Sequence, residues 1–240
     1  LGLFVIVATP GWQYWNKDKG WDEKVHENTR QIIRRDRNHP CVLMWEPILN
    51  ETRYPEDFAL QALRITRDEY PYPYRPVAAA DMHSAGVLDH YDVVYGWPGD
   101  DFKAQAAAEK GDQSTAQPRQ PVFTREFGEL VDDWYAHNNL NRASRSWGER
   151  PMLVQALSLH RSVKELFHTT GRFLGGSQWH PFDHQRGYHP DPYWGGIYDA
   201  FRQTKPAFSM FAATLLPAAE QPLVSIAPET TQVPEPGVTV

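Results

Sequence analysis

Two glutamates stand where a parallel α/β barrel would place its chemistry. Glu51 closes the run Trp45-Glu46-Pro47-Ile48-Leu49-Asn50-Glu51, and Glu126 closes Pro121-Val122-Phe123-Thr124-Arg125-Glu126. Both runs read as short strands, and in parallel barrels the functional residues gather at the carboxyl ends of strands. Cleaving a glycosidic bond with retention of configuration needs two carboxyl groups about 5 to 5.5 Å apart, one to protonate the leaving oxygen and one to attack the anomeric carbon. A glutamate taken at random is most often a solvated loop carboxylate, so the pair draws its weight from the elements around it.

Those elements alternate short apolar runs with longer helical patterns, which implies parallel strands joined by crossover helices. Strands are expected at Leu3 to Ala8, Cys41 to Leu49, Pro76 to Ala80, Tyr91 to Tyr95, Pro121 to Glu126 and Phe173 to Trp179. The first is read as a buried strand rather than a signal peptide, because it lacks a basic flank. Helices are expected from a capping Asp22 through Val25, Thr29, Ile32 and Ile33, and from Pro55 with Phe58, Ala62 and Ile65 on one face. Two more cover Pro151 to Thr170 and roughly Gly196 to Met210, the last interrupted near Pro206. Residues 1–216 read as one catalytic domain, and the proline-punctuated stretch 217–240 as a linker or the opening of a β-sandwich module.

Bulk properties narrow the function. The net charge of −6 carries no basic stripe, which argues against a nucleic-acid partner, and no segment calls for a membrane. Aromatics reach 13 %, with 9 Trp, enough both to fill a core and to leave flat platforms for the C–H faces of sugars. The single cysteine, Cys41, reads as a small buried hydrophobe and excludes an internal disulfide. Compartment stays open, since disulfide-free proteins occur in the cytoplasm, the periplasm and outside the cell.

Four stretches carry a family resemblance. Arg37-Asn38-His39-Pro40-Cys41-Val42-Leu43-Met44-Trp45 followed by Asn50-Glu51 resembles the signature leading to the acid/base of glycoside hydrolase family 2, the β-galactosidase, β-glucuronidase and β-mannosidase group. Pro121 to Gly128 is similar to that family's nucleophile strand. Gly175-Gly176-Ser177-Gln178-Trp179-His180-Pro181-Phe182-Asp183 resembles its last barrel strand, and Arg202-Gln203-Thr204-Lys205-Pro206 the close of the barrel.

The resemblance implies a (β/α)8 TIM barrel that is incomplete here, with about six of eight βα units and the first two missing. The rest of its own polypeptide would then be a partner, and the segment alone is expected to be inactive or insoluble. It further implies Glu51 as general acid/base, Glu126 as nucleophile, Asn50 on the sugar 2-hydroxyl and Trp179 as a wall of the sugar subsite. Trp12, Tyr95 and Trp97 follow strands at the same rim and divide evenly between sugar contact and loop packing. Asp183, near His180 and His184, reads as a polar sugar contact or support rather than a metal ligand. No cofactor is required, and a structural cation stays open.

One departure matters. Where the family usually has Trp-Ser-Leu-Gly-Asn-Glu, this chain has one residue more and a proline, Pro47, which suggests a local bulge. Placed otherwise, the bulge would give Glu46 the acid role. The expected activity is hydrolysis of terminal β-linked sugars, β-galactosides first, because Trp45-Glu46-Pro47 and Phe182 to Tyr188 look β-galactosidase-like and no carboxylate clamp for glucuronides stands out. An endo-acting glycanase of a related barrel family and a silent carbohydrate-binding barrel are the alternatives.

Overall fold

Parallel pairing requires crossover connections, and in the computed structural model the paired strands run parallel, with helices in several of the described connections between them. The structure describes residues 2–10, 15–49, 52–79, 82–96, 120–127, 150–168, 173–185, 192–193 and 195–215. The chain divides into two units, Leu1–Thr124 with Thr170–Gly175, and Arg125–Thr169 with Gly176–Val240. Among the described residues no helix is long and apolar enough to cross a membrane.

In the first unit β1 (Val5–Ala8) pairs in parallel with β2 (Val42–Glu46). The register slips between Val5 and Ile6: Val5 faces Val42 but Ile6 faces Met44, so Leu43 is an extra residue on β2. A bulge of this kind reverses the alternation of faces. Val42 and Trp45 therefore share one cluster, with Ile33 and Tyr70, although three positions apart they would otherwise point oppositely. Met44 turns the other way and packs with Ala78, Val93, Tyr95 and Phe123. Trp45 then bridges in parallel to Val77, ahead of β3 (Ala78–Ala79), and β3, β4 (Val93–Tyr95), β5 (Val122–Phe127) and β6 (Phe173–Gln178) follow as neighbours in one sheet.

Helix α1 (Trp21–Asp36) starts from Gly20, whose φ of 81° is a left-handed conformation that suits glycine. Asp22 and Glu23 lie in its first turn and Arg34 and Arg35 in its last, each complementing the helix dipole. Helix α2 (Glu56–Glu69) follows Pro55 and buries Phe58, Ala59, Ala62, Leu63, Ile65 and Thr66. Between β3 and β4 the crossover is a 3₁₀ run, Met82–His90.

In the second unit α3 (Arg150–His168) packs on α4 (Pro206–Leu215). His160 Nδ1 meets Thr214 Oγ1 at 2.9 Å, and Thr214 donates its own proton to Met210 O, so the imidazole is the donor of the pair. A short antiparallel pair, β7 (His184–Gln185) with β8 (Pro192–Tyr193), follows β6.

Several sequence expectations shift. The first strand is not buried: Leu3 and Phe4 before it and Val5 within it are exposed, and β2 is its strand partner among the described residues. Cys41 is exposed rather than core, because it precedes β2 in a turn where its carbonyl accepts from Val5 N–H at 2.8 Å. Asp22 is not the cap of α1; Gly20 is. The last helix begins at Pro206, not Gly196, since proline suits a first helical turn and not an interior. The β2 irregularity lies at Leu43, ahead of Pro47.

Candidate active site

Around the ends of β1 and β2 the site is built from residues that bury polar groups. Thr9 N–H donates to Glu46 O at 2.9 Å, extending the β1–β2 ladder past its last pair. Glu46 is 1 % exposed and lies on the Met44 side of β2 by alternation. A small cavity of about 10 Å³, the size of one water, is lined by Thr9, Thr29, Ile33, Trp45, Glu46 and Thr66 among others. At 1 % exposure Glu46 is enclosed at the root of the loop. Asn50 and Glu51, and also Trp12 and Trp97, lie outside the described residues.

The loop after β2 is fastened by its own aromatic residue. Tyr54 stacks on Phe58 with ring centroids 5.5 Å apart, and Trp15, half-buried in the chain that follows β1, meets Tyr54 edge-on at 5.8 Å. Burial raises the Tyr54 phenol above its ordinary pKa, only partly countered by hydrogen bonds from Leu49 and Thr52. Nothing in the sequence singled out Tyr54; the signal would have been an aromatic residue three positions past Asn50-Glu51.

At the ends of β4 and β5, Tyr95 is wholly buried and its ring meets Phe123 edge-on at 6.1 Å. Gly96 N–H donates to Phe123 O at 3.3 Å, and Thr124 Oγ1 donates to Gly96 O at 2.8 Å, so the chain leaving β4 is tied to β5. Glu126 is the fifth residue of β5, next to its carboxyl end.

Trp179 follows β6 directly. Its backbone N–H donates to Phe127 O at 2.9 Å, its ring is half-buried, and its indole N–H is buried without a partner among the described residues. Such a donor is one that a bound ligand or water would satisfy. The Trp179–His180 peptide is cis, and the His180 ring lies edge-on to Trp179 at 5.3 Å and to His184 at 4.5 Å.

Asp183 points inward. Its Oδ1 accepts from Gly196 N–H at 2.9 Å and both oxygens lie within 3.2 Å of Lys205 Nζ. Burial pushes its carboxyl above the ordinary aspartate range, outweighing the pull of Lys205. Gln155 of α3 donates to Gly196 O at 3.0 Å, and Gln178 of β6 donates to Gly195 O at 3.2 Å. The structure therefore makes Asp183 an internal anchor of the loop beyond Trp179. Gln155 and Gln178 belong to the same anchor and were not anticipated as functional, because each bonds a distant backbone carbonyl that no local pattern announces. Among the described residues no group of three or more His, Cys, Asp or Glu is arranged to hold a metal ion.

Comparison with known proteins matches residues 3–140 to the family model described as glycosyl hydrolases family 2, TIM barrel domain. A β-galactosidase of Thermoanaerobacter pseudethanolicus is 26 % identical over 235 residues, 95 % of this chain and 28 % of the relative. A β-galactosidase of Thermoanaerobacterium thermosulfurigenes is 34 % identical over 71 residues, 30 % of this chain and 10 % of the relative. Among solved structures, the family 2 β-galacturonidase of Eisenbergiella tayi bound to galacturonate superposes with a TM-score of 0.58 at 20 % identity, over 82 % of this chain and 37 % of that one. β-Glucuronidase 3 of Bacteroides uniformis gives 0.59 at 17 % identity, over 89 % and 30 %. The chain thus spans well under half the length of these relatives, and the structural likenesses bear on fold alone.

Proposed function

Because this chain belongs to the family 2 glycosyl hydrolases as part of their TIM barrel domain, we propose that it carries the two working carboxylates of a retaining β-glycosidase, Glu51 and Glu126. What supports this reading is their position along the chain: Glu51 follows β2 in sequence, Glu126 is the last residue but one of β5, both strands pair in parallel with a neighbour, and both residues fall inside the matched stretch.

In the first half-reaction the Glu126 carboxylate attacks the anomeric carbon while Glu51 gives its proton to the departing oxygen. The product is a glycosyl ester on Glu126. In the second half, water loses a proton to Glu51, its oxygen bonds the anomeric carbon, and Glu126 leaves as carboxylate. Asn50 bonds the 2-hydroxyl, and Trp179 walls the sugar and offers its indole N–H. Trp12 and Trp97, which come after strands in the sequence, are further candidates for sugar contact. Asp183 acts through Trp179's loop rather than by touching sugar.

The β-galactosidase names of the two relatives favour β-galactosides over other β-linked sugars. A panel of nitrophenyl β-glycosides tested on the full-length polypeptide distinguishes the readings: turnover of the galactoside above the others supports this one. Cleavage inside polymeric glycans without release of terminal sugar would instead make it an endo-acting glycanase.

A further inference from the structure

Tyr54 is built as a clamp on the loop that carries Glu51. Its hydroxyl accepts a hydrogen bond from Leu49 N–H at 3.1 Å and shares another with the Thr52 side chain. Tyr54 N–H also donates to Thr52 O at 3.0 Å, and Thr52 is 1 % exposed. Leu49 and Thr52 are the residues on either side of Asn50-Glu51. One phenol oxygen thus holds both ends of that dipeptide.

The phenol is held in turn. Its ring lies 8° from parallel with Phe58, and Phe58 continues the column onto His26 at 4.3 Å and 15°. Trp15 closes edge-on against Phe58 at 4.5 Å as well as against Tyr54. Phe58 belongs to α2, His26 to α1 and Trp15 to the chain leaving β1, so three elements fix where the hydroxyl sits. Burial raises the phenol pKa, so the hydroxyl keeps its proton at neutral pH while its oxygen accepts from both Leu49 N–H and the Thr52 side chain.

We propose that Tyr54 is a positioning residue for the acid/base, holding the Asn50-Glu51 segment in the register that proton delivery requires. The inference rests on the assignment of Glu51 above. A displacement of about 1 Å at a reacting group costs on the order of 100-fold in rate, whereas a substrate whose leaving group departs as a stable anion needs no proton and is insensitive to it.

The test is Tyr54→Phe in the full-length polypeptide, which keeps the ring column and removes the oxygen. The expected result is a fall in kcat/KM of about 10- to 100-fold on an alkyl β-galactoside, with little change on the dinitrophenyl β-galactoside and an unchanged melting temperature. Thr52→Val removes the other partner of the hydroxyl, should repeat the pattern, and decides the matter if Tyr54→Phe does not fold. Glu51→Ala is measured beside them. If Glu51→Ala shows the leaving-group dependence and neither clamp variant does, the clamp is overturned and Glu51 keeps its role; if Glu51→Ala lacks it, the acid/base assignment fails and the clamp falls with it.

Discussion

Lys205 Nζ sits 3.1 Å from Asp183 Oδ1 and 3.2 Å from Oδ2, with both side chains at or below 5 % exposure. The pair joins the segment before α4 to the loop that follows Trp179, with Gly196 N–H as a third partner. Taking two charges out of water costs about as much as their attraction returns, so such a pair specifies a geometry more than it stabilises one.

Breaking it from one side should therefore be far worse than replacing it whole. Lys205→Met leaves the Asp183 carboxylate buried with Gly196 N–H as its remaining partner, and should lower unfolding free energy by about 3 to 5 kcal/mol. The double variant Lys205→Met with Asp183→Leu should recover much of that loss. Urea denaturation of the three proteins is the measurement, and equal losses in single and double variants would contradict the account.

Gly196 and Gly20 should respond to alanine for different reasons. A Cβ on Gly196 would come within 2.3 Å of Asp183 N, 2.4 Å of Phe182 C and 2.6 Å of Tyr198 O, all backbone atoms that cannot swing aside. Gly196→Ala should cost about 3 kcal/mol or more. A Cβ on Gly20 meets nothing within 4 Å, so Gly20→Ala bears only the left-handed strain at φ 81°, about 1 to 2 kcal/mol. Thermal melts of the two variants should rank in that order.

Acid should loosen both units. Burial lowers the pKa of His26 and of His160 below the ordinary 6.5, with the charges of Lys164 and Arg161 adding to the effect at His160. A depressed folded-state pKa means that stability from these groups is complete above 6.5 and is lost as pH falls through the folded value. Melting temperature should drop between pH 7 and pH 5, and His160→Gln should make that drop shallower. A pH-independent melt over this window would remove the argument.

Glu126→Gln keeps shape and removes the charge that the proposed nucleophile needs. In the full-length polypeptide kcat on nitrophenyl β-galactoside should fall by on the order of 1000-fold or more, given what loss of a nucleophile does to hydrolases that work through covalent intermediates. Activity unchanged from the parent would end the nucleophile assignment.

Much of the scaffold was legible because its signals are local. Apolar runs around Val5, Val42, Val93, Val122 and Phe173 all became strands, and the 3.6-residue spacing of Phe58, Ala62 and Ile65 marked the buried face of α2. Boundaries were less legible where one residue decides them. Gly20 in place of Asp22 as cap, and Pro206 as the first residue of α4, follow from backbone conformation, which composition states only weakly.

By itself the sequence determined the element order, the family and the two candidate glutamates, because periodicity and motif spacing are properties of short stretches of chain. Only the tertiary structure decided that Val42 and Trp45 share a face, since a single extra residue at Leu43 reverses the alternation. It alone turned Asp183 toward Lys205 and brought the Tyr54 hydroxyl onto both Leu49 and Thr52. Those partners are chosen by which polar groups packing leaves in reach once water is excluded, and that choice is made in space rather than along the chain.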